Sequence, residues 1–466
     1  MVLSAAPATD AGRRQATAAA MVRLAEWAAG AMAAPLPADV RTRAALVLMD
    51  DIGAAVAASG EPEIVAARRI ELAEARAAEA TVFAAGAPRL DRLGAALANG
   101  MAATWAELDE GYRLAPCHAG AYLWPALLAE AEATGATTGR VLTALAVGYE
   151  ITARLARAFP FGTMTVHPHA AFVTVGAAAG IGLMRGYDGP MLLKAISGAA
   201  SMAFAGPYGH AIDGALVRNA WTAAGAFIGF RSADWAMCGI GGLPETMYDV
   251  FATCFGTEAQ AEALDSALGD QWAIRDGYHK VFACCQYAHS MLEASLALHE
   301  RLGPGVGARI AAIEVQTHPR GLTLTAVEPP TVLSAKFSMP HAAAAVAVLG
   351  TGGQAAFSAA TLTDPAIAAL RRAVTLVPLA TIEPWPNDRA ATVTWTLDDG
   401  TRHSASCRNA RGGADQPFDE ATLAAKLNDS TRDALPALAA VLASVLAGCV
   451  DAKPWRSIVA AATGAR

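Results

Sequence analysis

The stretch that decides the fold is Arg309-Ile-Ala-Ala-Ile-Glu-Val-Gln-Thr-His318, in which apolar and polar side chains alternate as they do along a half-buried β-strand. A second stretch, Ala391-Thr-Val-Thr-Trp-Thr-Leu-Asp-Asp-Gly-Thr-Arg-His403, predicts a strand that ends in an Asp-Gly turn. Because residues 1–270 show little such alternation, we predict that a small α+β unit is confined to this later part of the chain.

Helical patterns lie on both sides of this unit. Apolar residues recur at three- and four-residue spacing in segments 42–59, 90–107, 125–133, 139–158 and 191–204. The helical pattern returns after Pro417 and continues to residue 462. The chain is therefore predicted to be mainly α, with a large all-helical domain over residues 1–272 that residues 410–466 complete, and a smaller α+β domain over residues 273–409.

The composition excludes several classes of protein. Of the 466 residues 54% are hydrophobic, but much of this excess is alanine in helical stretches. The longest apolar run, residues 170–184, contains glycines and is shorter than the ~20 residues that a bilayer crossing requires. A net charge of -7 without a basic block argues against nucleic acid as the partner. We therefore expect no transmembrane helix and a small-molecule substrate.

Two further features bear on localisation. The seven cysteines are an odd number without the regular spacing of a secreted scaffold, which predicts reduced thiols and a cytoplasmic protein. Arg13-Arg14 before an alanine-rich segment could be a twin-arginine export signal, but Arg23 and Glu26 interrupt its apolar region. We prefer an amphipathic helix that runs through Trp27.

The first cluster of chemically active side chains is Glu107-Leu-Asp-Glu-Gly-Tyr-Arg113, followed by His118. Three carboxylates within four residues repel one another, so burial here would raise the pKa of a carboxyl group and suit it to general acid–base catalysis. The alternative is a solvated helix end without a catalytic role.

A second cluster, Val166-His-Pro-His169, precedes the glycine-rich segment 175–182. Proline predicts that the histidines lie at a helix start, where a ring either enters a cleft or caps the turn. The glycine spacing also permits a dinucleotide-binding loop after a short strand at residues 172–175, and hence an NAD-dependent oxidoreductase. Because no acidic residue follows about 20 positions later to hold a ribose, we prefer close helix packing through small residues.

The third cluster, Tyr278-His-Lys-Val-Phe-Ala-Cys-Cys-Gln-Tyr-Ala-His289, contains Lys280, one of only five lysines in the chain. A lysine in a partly desolvated pocket can bind a carboxylate or, with a lowered pKa, transfer protons. The alternative is a surface lysine. The cysteines and histidines could also indicate zinc, but adjacent cysteines do not readily complete a four-ligand site. We therefore predict no metal.

Taken in order, these clusters resemble the MmgE/PrpD family over nearly the whole chain. The motifs that carry the resemblance are Ala98-Asn-Gly100, Glu107-Leu-Asp-Glu-Gly-Tyr-Arg113, His118-Ala-Gly120, Pro125-Ala-Leu-Leu-Ala-Glu-Ala-Glu132, Gly148-Tyr-Glu-Ile-Thr-Ala-Arg154, His167-Pro168, Gly214-Ala-Leu-Val-Arg218, Trp272-Ala-Ile274, Lys280-Val-Phe-Ala-Cys-Cys285, His289 and Ala335-Lys-Phe-Ser-Met-Pro340.

This resemblance implies a homodimer without an organic cofactor, in which the smaller domain is a lid and the active site lies in the cleft between the domains. Activities of such proteins include dehydration of 2-methylcitrate, decarboxylation of cis-aconitate and epimerisation of iminodisuccinate, all on small polycarboxylates. By position, the resemblance implies catalytic roles for Glu107, Asp109, His118, His167 and Lys280. It also leads us to expect substrate binding by Arg218, Arg113, Tyr112, Cys285 and His289.

Two residues depart from the family pattern and influence the predicted reaction. Relatives often have His-Pro where this chain has His118-Ala119, and often a lysine at the position of Arg218. An arginine there would hold a carboxylate through two donors, but it does not readily donate a proton to a leaving group. We therefore favour an epimerase of the iminodisuccinate type, with a dehydratase or decarboxylase as the alternative; a non-catalytic helical scaffold also stays open. Arg218 and Lys280 are expected to converge on one pocket.

Overall fold

The computed structural model describes residues 9–464, and its first half is helical. The helices are α1 (Asp10–Ala31), α2 (Ala38–Ala58), α3 (Pro62–Glu74), α4 (Arg92–Ala103), α5 (Ala119–Thr134), α6 (Thr138–Ala158), α7 (Pro168–Arg185), α8 (Gly189–Ala200), α9 (Gly209–Asp213), α10 (Val217–Met237) and α11 (Glu262–Asp265). Short strands interrupt them: β1 (Ala80–Thr81), β2 (Arg89–Leu90), β3 (Gly111–Tyr112) and β4 (Gly277–Tyr278).

The second half combines helices with one larger sheet. Its helices are α12 (His289–Leu302), α13 (Val332–Lys336), α14 (Met339–Leu349), α15 (Ala359–Thr363), α16 (Pro365–Arg372), α17 (Glu420–Thr431), α18 (Leu438–Leu446) and α19 (Trp455–Thr463). Its strands are β5 (Ile310–Thr317), β6 (Val374–Pro378), β7 (Ala391–Leu397) and β8 (Arg402–Cys407). The predicted class, mainly α with a smaller α+β part, is confirmed.

Helix α7 lies at the centre of the helical part and contains the glycine-rich segment. A Cβ atom added to Gly176 would lie 2.8 Å from the Cβ of Tyr122 in α5, and one added to Gly182 would lie 2.9 Å from Leu192 in α8. The glycines therefore permit neighbouring helices to approach closely. Residues 172–175 are helical, so the strand that a dinucleotide-binding loop would need is absent from this segment.

The four-stranded sheet has the order β6-β5-β7-β8. Strands β5, β7 and β8 are antiparallel neighbours, and the turn between β7 and β8 contains Gly400 at a φ of 81°, as the Asp-Gly pair predicts. Strand β6 pairs with β5 in parallel at the edge of the sheet. Strand β6 is not among the predicted strands, because none of its five residues is buried and no apolar face marks it in the sequence.

The last helices pack against the first half of the chain. In α17, the side chain of Leu427 would lie 2.9 Å from a Cβ added to Gly53 in α2. Further on, the carbonyl of Lys453 accepts a hydrogen bond from the N–H of Thr138 (2.8 Å) at the start of α6. We propose on these contacts that residues 410–466 complete the 1–272 domain around the 273–409 unit, although residues 1–8 and 465–466 lie outside the described residues.

The helices, the cysteines and the N-terminal segment each bear on a prediction made from the sequence. Among the described residues, no helix combines the length and the apolar character needed to cross a membrane. The seven cysteines are free thiols. Helix α1 continues through Arg13, Arg14 and Trp27, as the preferred interpretation of this segment predicts.

Candidate active site

A cavity of about 60 Å³ lies where the three sequence clusters meet. Seven of the ten predicted site residues line it: Glu107, Tyr112, His118, His167, Arg218, Lys280 and Cys285. The first cluster is buried rather than a solvated helix end, because Glu107, Asp109 and Glu110 are each at most 2% exposed. A small molecule bound here would contact several ionisable groups at once.

The segment 104–110 carries all three acidic residues of the first cluster and has an unusual backbone. Glu107 has a φ of 55°, a left-handed conformation that costs free energy in any residue with a Cβ. Long cationic side chains donate hydrogen bonds to backbone carbonyl groups on both sides of Glu107. Arg218 Nη1 donates to the carbonyl of Thr104 (3.3 Å), Lys336 Nζ to that of Trp105 (2.6 Å) and Lys426 Nζ to that of Leu108 (2.7 Å). These hydrogen bonds fix the position from which Glu107 enters the cavity.

Arg218 and Lys280 line the same cavity, as expected from the sequence, and both approach the carboxylate of Glu107. Arg218 Nη1 lies 2.5 Å from Glu107 Oε1, and Lys280 Nζ lies 3.7 Å from Glu107 Oε2 and from Asp109 Oδ1. Burial alone would lower the pKa of Lys280, but Asp109 and Glu107 raise the pKa above its ordinary value. Lys280 is therefore an ammonium group, which excludes the alternative of a lysine with a lowered pKa.

Asp109 and His118 form a hydrogen-bonded pair, of which His118 lines the cavity and Asp109 is fully buried outside its lining. Asp109 Oδ2 lies 2.6 Å from His118 Nδ1, and His118 is the residue that immediately precedes α5. Burial alone would raise the pKa of Asp109, but Lys280 and His118 together hold the pKa below its ordinary value. The aspartate is thus ionised and orients the imidazole, so that Nε2 is free to exchange a proton with a substrate.

His167 and His169 extend this group of imidazoles along the cavity. The rings of His118 and His169 have centroids 4.8 Å apart, and those of His167 and His169 are 4.5 Å apart. His169 Nδ1 is 2.8 Å from the hydroxyl of Tyr122, while its Nε2 has no hydrogen-bond partner. Burial, and then Arg218, lower the pKa of both His167 and His169 well below 6.5, so both rings are neutral.

Two predicted substrate-binding residues lie outside the lining of the cavity. Arg113 donates a hydrogen bond from Nη2 to Asp388 Oδ1 (2.8 Å), and His289 Nε2 is 3.2 Å from the carbonyl of Cys284. A substrate contact is therefore not apparent for either of them. Cys285 does line the cavity, and burial raises the pKa of its thiol to about 11, so the sulfur is protonated.

Eleven residues of the cavity lining are absent from the predicted set, among them His169, Tyr278 and Arg389. His169 lies in the first turn of α7 and His167 is the residue that immediately precedes this helix, a spacing that is visible in the sequence. Tyr278 reaches the cavity by passing over Gly111, where a side chain would block it: a Cβ added to Gly111 would lie 2.4 Å from the tyrosine hydroxyl oxygen. Arg389 comes from the loop between β6 and β7, far away in the sequence, and no local pattern indicates it.

The residues that could hold a metal ion also differ from those considered in the sequence. Among the described residues, Asp109, His118 and His169 have donor atoms within 4.8 Å of one another, whereas the cysteine-containing cluster does not form such a group. A dication at this place would lie beside the ammonium of Lys280, which is 3.7 Å from Asp109 Oδ1. The repulsion between these charges makes the site better suited to an anion.

Two further buried carboxyl groups, those of Glu110 and Asp51, lie near Asp109. Glu110 accepts hydrogen bonds from the N–H of Gly120 (2.7 Å) and the hydroxyl of Tyr149 (3.0 Å), and its own N–H donates to Asp51 Oδ1 (3.1 Å). Burial raises the pKa of Glu110 from 4.5 to about 8 and also raises the pKa of Asp51. The carboxyl group with a raised pKa that the sequence predicts is therefore Glu110, which does not line the cavity.

Replacing Glu110 with glutamine is expected to flatten the dependence of stability on pH. Between pH 4.5 and about 8 the folded protein retains a proton on Glu110 that the unfolded chain has lost, so the free energy of unfolding falls as the pH rises. An uncharged amide should remove on the order of 1 kcal/mol or more of this fall, measured by chemical denaturation from pH 5 to pH 8.5. Glu79→Gln is the control, because hydrogen bonds from Arg92 lower the pKa of Glu79 and its contribution changes only at more acid pH. Equal slopes for Glu110→Gln and the wild type would contradict the prediction.

Comparison with protein families accounts for most of the chain. Residues 22–261 match the MmgE/PrpD N-terminal domain, and residues 282–450 match the MmgE/PrpD C-terminal domain. The comparison with curated proteins gave no match. The acidic residues and histidines of the cavity lie in the first matched region, Arg389 lies in the second, and Lys280 lies between them.

Proposed function

The chain belongs to the MmgE/PrpD family, and from this membership and the geometry of the cavity we propose that it removes a proton beside a carboxylate of a small polycarboxylate and returns a proton to the opposite face. The family supports an enzyme of the dehydratase or epimerase type. An epimerase acting on a compound like iminodisuccinate is the specific reaction that we propose.

The observation that carries this proposal is the Asp109–His118 pair beside the ammonium of Lys280. An imidazole whose Nδ1 is held by an ionised carboxylate can accept a proton at Nε2. Removal of a hydrogen beside a carboxylate adds negative charge to the substrate, and Lys280 and Arg218 stabilise that charge more strongly than they stabilise the ground state. The cavity supplies both requirements within one small space.

Epimerisation also requires a group that exchanges a proton on the second face. We assign this role to His167, which immediately precedes α7, lines the same cavity and is neutral. Its Nδ1 accepts a hydrogen bond from the N–H of His169 (3.1 Å), so the proton of the neutral ring is on Nε2 and can be passed to the substrate. His169 lies between the rings of His118 and His167. A dehydratase would in addition need a group that protonates a leaving hydroxyl, and Arg218 is poorly suited to that role.

We also propose that the enzyme is a homodimer. Among the described residues, large exposed apolar side chains concentrate between residues 227 and 243: Phe227, Trp235, Met237, Ile240 and Leu243. Exposed apolar surface of this kind is typical of contacts between subunits. Light scattering during gel filtration would test this, with twice the subunit mass of 47.7 kDa expected.

The reaction itself is tested by incubating the wild-type enzyme with di- and tricarboxylates in deuterated water. We expect deuterium to enter the carbon beside a carboxylate, with inversion of configuration and without loss of water or carbon dioxide. Treatment with a chelator should leave this exchange unchanged, since the proposed steps use side chains of the protein alone. Elimination as the main reaction would instead support a dehydratase, and no exchange with any of the acids would contradict the proposal.

A further inference from the structure

Arg389 is the cationic residue of the cavity lining whose charge is least balanced by a neighbouring carboxylate. Arg218 contacts Glu107 at 2.5 Å, and Lys280 lies 3.7 Å from both Glu107 and Asp109. Two carboxylates thus accompany those two cations. Among the described residues, Arg389 is the third lysine or arginine that lines the cavity. Its positive charge therefore remains for an anionic ligand.

The carboxylate nearest to Arg389 is already occupied. Asp388 Oδ2 lies 3.7 Å from Arg389 Nε, whereas Asp388 Oδ1 accepts a hydrogen bond from Arg113 Nη2 at 2.8 Å. Arg113 also donates to the carbonyl of Pro386 (3.2 Å). These contacts attach the loop between β6 and β7 to the segment that follows Glu107–Glu110, and they give Arg113 a positioning role in place of the predicted contact with substrate.

The guanidinium of Arg389 is held in a defined orientation. Its centre lies 4.9 Å from the centroid of the Tyr287 ring, and Nη1 donates a hydrogen bond to Gln286 Oε1. The side chain is only 11% exposed. A planar guanidinium fixed in this way presents its remaining N–H groups to a carboxylate with little loss of conformational entropy.

We propose that Arg389 binds a carboxylate of the substrate that is remote from the reacting carbon, and so makes the enzyme selective for acids with two or more carboxylates over monocarboxylates. The inference rests on the proposed function, in which Lys280 and Arg218 act at the reacting end of the molecule. Arg389 belongs to a separate segment of the chain, and a substrate with a single carboxylate would leave its charge unpaired in a largely buried site.

Replacing Arg389 with glutamine is expected to raise KM for the active polycarboxylate by roughly ten- to a hundredfold, the range for loss of a charged hydrogen bond, with a much smaller change in kcat. Arg389→Lys should restore part of the affinity, since it keeps the charge but loses the paired donors. An analogue whose remote carboxylate is converted to an amide should have the same KM with Arg389→Gln as with the wild type.

Arg320→Gln is the matched control. Arg320 is exposed, its guanidinium lies 5.7 Å from the centroid of the same Tyr287 ring, and it donates to the Tyr287 hydroxyl (2.9 Å), but it does not line the cavity. Loss of this arginine changes the surroundings of Tyr287 without removing a cation from the lining. Its KM should stay within about twofold of the wild-type value, so a large effect would point to Tyr287 rather than Arg389.

Binding of succinate, measured by calorimetry, separates this inference from the proposed reaction. Succinate should bind the wild type and Arg320→Gln equally and Arg389→Gln at least roughly tenfold more weakly. Equal binding to the Arg389 variant and the wild type, or failure of the wild type to bind succinate, would overturn the role of Arg389. If succinate binding depends on Arg389 but the wild type exchanges no hydrogen in any acid, the proposed reaction alone is wrong.

Discussion

Replacing Asp109 with asparagine is expected to lower kcat for α-hydrogen exchange by roughly a thousandfold or more, with a small change in KM. Asp109 Oδ2 is 2.6 Å from His118 Nδ1 and keeps a proton on that nitrogen, which leaves Nε2 free as the base. An asparagine amide can instead donate to Nδ1 and so favour the tautomer in which Nε2 already carries a proton. A comparable substitution in a Ser-His-Asp triad lowers kcat by about 10⁴.

Two further variants distinguish this role from a general effect on folding. Glu110→Gln alters the adjacent buried carboxyl group, which does not line the cavity, and should retain exchange activity. The double variant Asp109→Asn/His118→Asn should be no slower than His118→Asn alone, because residues that act as a unit give non-additive effects. Full additivity, or wild-type exchange by folded Asp109→Asn, would show that the pair does not act as the base.

Much of the architecture follows from local patterns in the sequence. The helical spacing in segments 42–59 and 139–158 corresponds to α2 and α6, and the alternation at residues 309–318 corresponds to β5. These predictions succeed because burial of one face imposes its period on each element. Strand β6 buries none of its residues, so no buried face imposes a period on it, and only its pairing with β5 identifies it as a strand.

The site divides in the same way into local and non-local parts. Glu107 and Asp109 are neighbours in sequence, and His118 follows within nine positions of Asp109, so their concentration is visible before the fold is known. The 3.7 Å approach of Lys280 to both carboxylates depends on the pairing of β3 with β4, which joins Gly111 to Tyr278. Arg389 depends on the placement of a loop. No periodic pattern encodes such a contact between distant segments.

Replacement of Lys280 would measure how much one cationic side chain contributes to the rate of proton removal. Lys280 is 1% exposed and lies 3.7 Å from Glu107 Oε2 and from Asp109 Oδ1, where it remains an ammonium group. Charge that develops on the substrate near these carboxylates would be repelled by them unless a cation compensates. Because that charge develops only as the proton is removed, the compensation should act mainly in the transition state.

Replacing Lys280 with alanine is therefore expected to slow deuterium exchange on the order of a hundredfold, or roughly 3 kcal/mol, by comparison with the loss of one oxyanion donor. Lys194→Ala, on the exposed face of α8, should exchange at the wild-type rate. Circular dichroism and thermal unfolding establish that each variant is folded. A folded Lys280→Ala protein that exchanges as fast as the wild type would remove this lysine from the mechanism and leave Arg218, paired with Glu107, as the principal cation at the reacting carbon.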